Sequence, residues 1–230
     1  MHKLLVFDLD GTLAPLGKGA LPSTIEKLKQ LEARGHRIAL CSGKPTYYLC
    51  GILRQWELES PVMIGENGAA IQFGVDLPPA RFEIFPFSEL AKDQLKLLRR
   101  RIDSAWKGKL WYQPNEVALT PFPYEEACFE CIQGILDQHP EDLSELAVYR
   151  NGDSFDILPK SISKREGVAY LASLLGLTQK DVIVVGDGVN DIPMFAYADL
   201  SLAIGERLKE HATHCFDTVG EALDYILNNG

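Results

Sequence analysis

The sequence predicts an α/β fold: a parallel-sheet core with helices on both faces, interrupted by an inserted α+β unit of order αββαββ. Three observations carry this. Strand and helix signals alternate toward both ends of the chain, as in repeated βα units. The first strand signal, Leu4-Leu5-Val6-Phe7, is apolar without alternation, which suits a parallel strand buried on both faces. The βα rhythm breaks once, after a Gly/Pro-rich stretch at Gly74 to Pro79, and resumes after Pro159. With 230 residues, 46% of them hydrophobic, the chain can build a core domain plus a smaller second one and is too apolar to be disordered.

The elements follow in order. Lys3 to Phe7 reads as a strand, and Ser23 to Arg34 as a helix opened by a Ser23/Glu26 capping box and closed at Gly35. Arg37 to Cys41 is the second strand, Pro45 to Trp56 the second helix, and Val62 to Ile64 the third strand. Ala69 to Phe73 pairs with a neighbour across Gly65-Glu66-Asn67-Gly68. The insertion reads helix Ser88–Trp106, strands Leu110–Gln113 and Val117–Thr120, helix Tyr124–Gln138, and strands Leu146–Arg150 and Phe155–Leu158. Pro114-Asn115 and Asn151-Gly152-Asp153 are its hairpin turns. The rhythm resumes with helix Lys164–Leu175, strand Val182–Val185, short helix Asn190–Ala196 and strand Ser201–Ile204. A last helix opens with a Thr218/Glu221 capping box. The expected division is 1–80 with 160–230 as the core and 81–159 as the insertion.

Composition narrows the function. A net charge of -9 argues against nucleic acid, and the densest basic cluster, Arg99-Arg100-Arg101, falls on a helix and reads as a solvated face. No apolar run approaches the roughly 20 residues of a membrane helix. The start of the chain leads straight into a strand without a signal-peptide pattern, so a cytoplasmic location is expected. Five scattered cysteines agree with that. Cys128 and Cys131 form a Cys-x-x-Cys near His139, but on an amphipathic helix and short of the ligands a zinc site needs, so core packing is expected.

Four clusters carry chemistry, three of them just past an apolar strand, where open α/β sheets bind ligands. Asp8 and Asp10 follow the first strand, and two acids there are costly to desolvate unless paired or bound to a metal. Taken alone, Asp8 to Thr12 also reads as an acidic turn. Ser42-Gly43-Lys44 follows the second strand and offers a hydroxyl and backbone amides to a phosphate oxygen, or a simple helix N-cap. Gly186-Asp187-Gly188-Val189-Asn190-Asp191 follows Val182 to Val185 and suits a hard, oxygen-seeking cation such as Mg²⁺, against the alternative of a polar turn. Lys164 stands where the insertion returns to the core and gains weight only from this company.

Taken together, Asp8-Leu9-Asp10-Gly11-Thr12, Ser42, Lys164 and Gly186-Asp187 through Asp191 resemble the four ordered motifs of the haloacid dehalogenase (HAD) superfamily. The form Gly186 to Met194 resembles its subclass IIB, or Cof-like, branch, which carries an αββαββ cap between the second and third motifs on a Rossmann-like core. Sugar-phosphate phosphatases, sucrose-phosphatase, mannosyl-3-phosphoglycerate phosphatase and an archaeal phosphoglycolate phosphatase are of this kind.

The resemblance implies a Mg²⁺-dependent phosphatase acting on a small phosphorylated metabolite. Asp8 would be the nucleophile that forms an aspartyl-phosphate. Asp10 would protonate the leaving alcohol and then activate water. Asp8, Asp187 and the Asp10 backbone carbonyl would hold Mg²⁺. Ser42 and the Gly43 amide would hold a phosphoryl oxygen, and Lys164 would balance its charge. Asp191 would orient Lys164 or a metal-bound water, with Asn190 in the same network. The acid at Asp10 matches phosphatases and phosphomutases rather than dehalogenases. Lys44 departs from an Arg common in relatives. Gly65-Glu66-Asn67-Gly68-Ala69 echoes a segment of the branch and either lines the site mouth or is a hairpin turn. Cap residues near Arg150 or from Glu116 to Thr120 would set specificity. A phosphomannomutase-like phosphotransferase and a silent binding module on the same scaffold are the alternatives, and a monomer or homodimer is expected.

Overall fold

The computed structural model of the protein describes residues 2–229. In chain order, β1 (Leu4–Phe7), α1 (Pro22–Ala33), β2 (Arg37–Cys41), α2 (Thr46–Trp56), β3 (Val62–Gly65), β4 (Ala70–Phe73) and β5 (Arg81–Ile84) come first. Then α3 (Glu89–Ala105), β6 (Leu110–Tyr112), β7 (Pro121–Pro123), α4 (Glu126–Gln138), β8 (Leu146–Arg150) and β9 (Phe155–Pro159) follow. The chain closes with α5 (Lys164–Leu174), β10 (Val182–Gly186), α6 (Ile192–Phe195), β11 (Leu200–Ile204), β12 (His214–Phe216) and α7 (Val219–Asn229). Two compact units result: the core, up to Phe85 and from Ser163 onward, and the inserted unit Pro86–Ile162.

The core sheet runs β12-β11-β10-β1-β2-β3-β4-β5. It is parallel except for β4, antiparallel to β3, and β5, antiparallel to β4. Its two faces explain why β1 shows no alternation. Leu5 and Phe7 pack with Leu28, Leu31, Leu53, Leu223 and Ile226 of α1, α2 and α7. Leu4 and Val6 pack with Val168 and Leu171 of α5 and with Met194 and Phe195 of α6. Both faces bury large apolar area, the dominant favourable contribution to folding. β1 lies between β2 and β10, where the strand order reverses, and the crevice beyond such carboxyl ends is where this architecture places ligands.

The inserted unit shows the expected αββαββ order as two hairpins, β6–β7 and β8–β9, linked by one bridge between Leu119 and Ile157. Helices α3 and α4 bury Ala91, Leu95, Leu98, Ile102, Cys128, Phe129 and Ile132 in its core. Cys128 is a core side chain, as expected, and His139 pairs with Glu141 and with Arg101. Among the described residues no helix is long and apolar enough to cross a membrane.

The structure differs from the sequence reading in several places. The boundaries fall after Phe85 and before Ser163 rather than at 80 and 160, because Arg81–Ile84 joins the core sheet as its edge strand. The Ser23/Glu26 box does not cap α1: the helix starts at Pro22 behind Leu21, with no side-chain cap. Proline suits that first position, since its missing N–H has no helical partner there. The second strand of the first hairpin lies at Pro121–Pro123 rather than Val117–Thr120, and Leu119 instead turns its backbone to Ile157. The three-residue β12 carries too short a pattern to be read. The Thr218/Glu221 box is present, with Thr218 N–H donating to Glu221 and Glu221 N–H to Thr218 Oγ1.

Candidate active site

Asp8 continues β1 beyond its last residue, its N–H donating to Val185 O at 2.9 Å. That ladder bond fixes a carboxylate at the sheet's switch point, where it is only 7% exposed. Lys164, the first residue of α5, reaches it: Nζ donates to Asp8 Oδ1 at 2.6 Å and to Asp191 Oδ1 at 2.6 Å. Lys164 is 1% exposed and Asp191 0%. The other Asp191 oxygen accepts the N–H groups of Asp187 and Gly188, both at 2.9 Å, which folds the loop after β10 onto its own acid.

Asp187 is held from the loop after β1, where Thr12 Oγ1 donates to its Oδ1 at 2.6 Å. The intervening Gly11 has φ +90°, and a side chain there would overlap the Asp187 carboxylate, so only glycine fits. Carboxylate oxygens of Asp8, Asp187 and Asp191 lie within 4.8 Å of one another. This set is all oxygen, and one ammonium faces three acids, so the residues fit a hard divalent cation. Asp191 already spends both oxygens on Lys164 and the loop amides, which leaves Asp8 and Asp187 better placed as ligands.

Electrostatics follow from this crowding. Burial pushes the Asp8 carboxyl up to about 6, with Asp191 and Asp187 adding to the rise and Lys164 opposing it. Burial also raises Asp187, while its Thr12 hydrogen bond pulls the other way. Burial works against the charge of Lys164, yet the facing Asp8 and Asp191 hold it above its ordinary value, so it is cationic at neutral pH. Cys41, buried at the end of β2, is pushed up to about 12 and remains a thiol.

The remaining candidates divide. Asp10 lies nearer the surface, its Oδ2 3.7 Å from Lys44 Nζ. Ser42 is buried; its N–H donates to Ile64 O at 3.0 Å, and its Oγ accepts the Lys44 N–H at 3.2 Å, which orders the loop but does not cap α2, since that helix starts behind Pro45 with no side-chain cap. Gly43 follows, with the Asn67 side chain against its Cα. Asn190 is exposed in the Gly186–Asp191 loop, next to Gly188. In the inserted unit, Arg150 stacks over Phe129 at 4.4 Å, and Thr120 bonds Asn115 and Asp156. Sequence reasoning gave Thr12 no role, although it sits directly after Gly11. The Lys44–Asp10 pair had no signal in the sequence at all.

The switch point of this sheet thus carries a buried acid–lysine–acid chain with a third carboxylate beside it, and the family match identifies the chain as a hydrolase. The profile of the haloacid dehalogenase-like hydrolases matches residues 5–97 and 113–222, and the chain belongs to that family. The inserted αββαββ unit has the element order expected of the Cof-like branch. It is 26% identical over 203 residues to a phosphoglycolate phosphatase of Methanopyrus kandleri, covering 88% of this chain and 84% of that one. It is 27% identical over 241 residues to a phosphoglycolate phosphatase of Methanosarcina acetivorans, covering 99% and 98%. Among solved structures, a haloacid dehalogenase-like hydrolase from Bacteroides thetaiotaomicron superposes with a TM-score of 0.77 at 22% identity, covering 98% of this chain and 100% of that one. A HAD subclass IIB sugar phosphatase gives 0.72 at 20% identity, covering 97% and 98%.

Proposed function

We propose that the protein is a Mg²⁺-dependent phosphatase of a small phosphorylated metabolite, a sugar phosphate or a phosphoglycolate-like acid, working through an aspartyl-phosphate on Asp8. The observation that carries this reading is Lys164, buried and bonded at once to Asp8 and Asp191. Such a lysine holds the nucleophile in one orientation and supplies positive charge where a phosphoryl group accumulates negative charge.

In this reading Asp8 attacks phosphorus, and the bond to the leaving oxygen breaks. Asp10 gives that oxygen its proton, then takes one from the water that cleaves the aspartyl-phosphate. Its more exposed position beside Lys44 suits a group that exchanges protons with a departing alcohol. Ser42 and the Gly43 amide hold a phosphoryl oxygen. The Asp8 and Asp187 carboxylates and the Asp10 backbone carbonyl would hold Mg²⁺, with Asp191 and Asn190 supporting the loop. When bound, the ion neutralises phosphate charge and lowers its repulsion from Asp8. With a net charge of -9, the protein as a whole repels an anionic substrate, so Lys164 and the bound ion together are needed to hold it.

The named activity of the relatives supports a phosphoglycolate-like acid as the first substrate to try. A cytoplasmic setting fits such a metabolite. The mechanism is tested by hydrolysis of an aryl phosphate with Mg²⁺ in wild type and Asp8→Asn. Loss of turnover in the variant is expected, and equal rates would sink the mechanism. A panel of phosphorylated acids and sugars then identifies the substrate.

A further inference from the structure

We propose that the turn Gly65–Gly68 is a positioning device that sets the spacing between Ser42–Gly43 and Lys164, and so fits the site to a five-coordinate phosphoryl group. This rests on the phosphatase reading above.

The turn is held in a costly conformation. Three successive residues have positive φ: Glu66 at 55°, Asn67 at 55° and Gly68 at 112°. Non-glycine residues stay in that region only where their surroundings over-determine them, and such outliers cluster at functional sites.

The surroundings here are the two phosphate-facing segments. On one side, Glu66 N–H donates to Lys44 O at 3.0 Å and Asn67 N–H to Ser42 O at 2.9 Å. The Asn67 side chain lies flat on Gly43, where an added Cβ would sit 3.3 Å from Nδ2. On the other side, Gly68 meets the first turn of α5. A side chain at Gly68 would overlap Ser163 O, and one at Gly167 would overlap the Gly68 Cα. Lys164 rides on that same turn, which Gly167 N–H closes onto Ser163 O at 3.0 Å.

The path from Ser42–Gly43 to the backbone of Lys164 therefore runs through backbone hydrogen bonds and the Gly68–Gly167 contact, with the Asn67 side chain as the one further support on Gly43. Packed interiors transmit such displacements, and a shift of about 1 Å in a catalytic group costs on the order of 100-fold in rate. Asn67, Gly68 and Gly167 are thus positioning residues acting through Gly43 and Lys164.

The test compares wild type, Gly167→Ala, Asn67→Gly and Asp8→Asn in aryl phosphate turnover with Mg²⁺. Alongside it, inhibition constants are measured for orthovanadate, which adopts five-coordinate geometry, and for inorganic phosphate. In Gly167→Ala, turnover falls and the vanadate constant rises, each about tenfold or more, while the phosphate constant moves less than about threefold. Asn67→Gly keeps the left-handed backbone without strain, so it folds, and it shows the same pattern at roughly fivefold.

A partly unfolded sample loses turnover but leaves an inhibition constant unchanged. A vanadate constant within twofold of wild type in Asn67→Gly, and in Gly167→Ala if that variant folds, overturns the proposal. Equal weakening of vanadate and phosphate overturns it too, since that marks general loosening of the pocket. Full activity in Asp8→Asn instead overturns the underlying mechanism. An inactive Asp8→Asn beside unaltered positioning variants overturns the spacing role alone.

Discussion

The core and the inserted unit both bury polar groups, but they balance them differently. In the inserted unit the networks close on themselves. Gln94 donates to Ser144 Oγ at 2.7 Å, and its Oε1 accepts the Glu145 N–H at 3.0 Å. Thr120 accepts from Asn115 at 3.0 Å and donates to Asp156 at 3.0 Å. Asp142 has Arg101 at 2.6 Å, and the neighbouring Glu141 is exposed to solvent and paired with His139. In the core, Lys164 alone answers the carboxylates of Asp8 and Asp191, with Asp187 beside them. Hydrogen bonding alone therefore does not distinguish scaffold from site. Both regions are largely hydrogen-bonded, and among the described residues the acids gathered in the core are the more buried, with one lysine against Asp8 and Asp191.

Four measurements test this contrast. The largest effect is expected from Lys164→Met, which leaves two buried carboxylates without their cation. Unfolding in urea should show a loss of about 3–5 kcal/mol. Turnover should fall at least about 100-fold, and an unchanged midpoint would break the contrast at its centre.

Next comes the ion. At about 100 times its dissociation constant, Mg²⁺ should stabilise wild type by about 2.7 kcal/mol, reversed by EDTA. Asp187→Asn should show most of that gain lost in thermal unfolding.

The third concerns pH. The folded-state pKa of Asp8 is raised, from the carboxylate norm to about 6, so the folded protein keeps a proton that the unfolded chain gives up. Its stabilising contribution is present below pH 4 and is lost as pH rises through 6. Urea unfolding of metal-free protein should show this slope, and Asp8→Asn should flatten it.

The smallest effect is expected in the balanced region. Asp142→Asn should cost about 1 kcal/mol in thermal or urea unfolding, since Arg101 is partly solvated, with aryl phosphate turnover unchanged.

What could be read from the sequence follows the same division. Leu4–Phe7 announces a strand buried twice over because both faces demand apolar side chains. Asp8, Lys164 and Asp187 to Asp191 could be singled out because acids at strand ends are expensive and their order resembles a known set of motifs. Their assembly was hidden: Lys164 and Asp8 lie 156 positions apart, and no local pattern encodes that bond. β5 escaped because an edge strand has little to bury, and Arg81 and Glu83 pair with each other on its surface. The Gly65–Gly68 turn was read only as a hairpin or a site rim, since its strain arises from neighbours remote in sequence.

The order of synthesis gives the split core a further meaning. The inserted unit is one continuous stretch, Pro86 to Ile162, and can complete its own contacts as it leaves the ribosome. The central strand β1 is made well before β10, its partner from Leu4↔Val182 to Phe7↔Val185. Until then the edge of β1 that meets β10 is open, and Asp8 lacks its lysine until α5 has been made. Residues of β1 are thus translated well before part of their native surroundings, and one edge of a central strand stays unpaired in that interval.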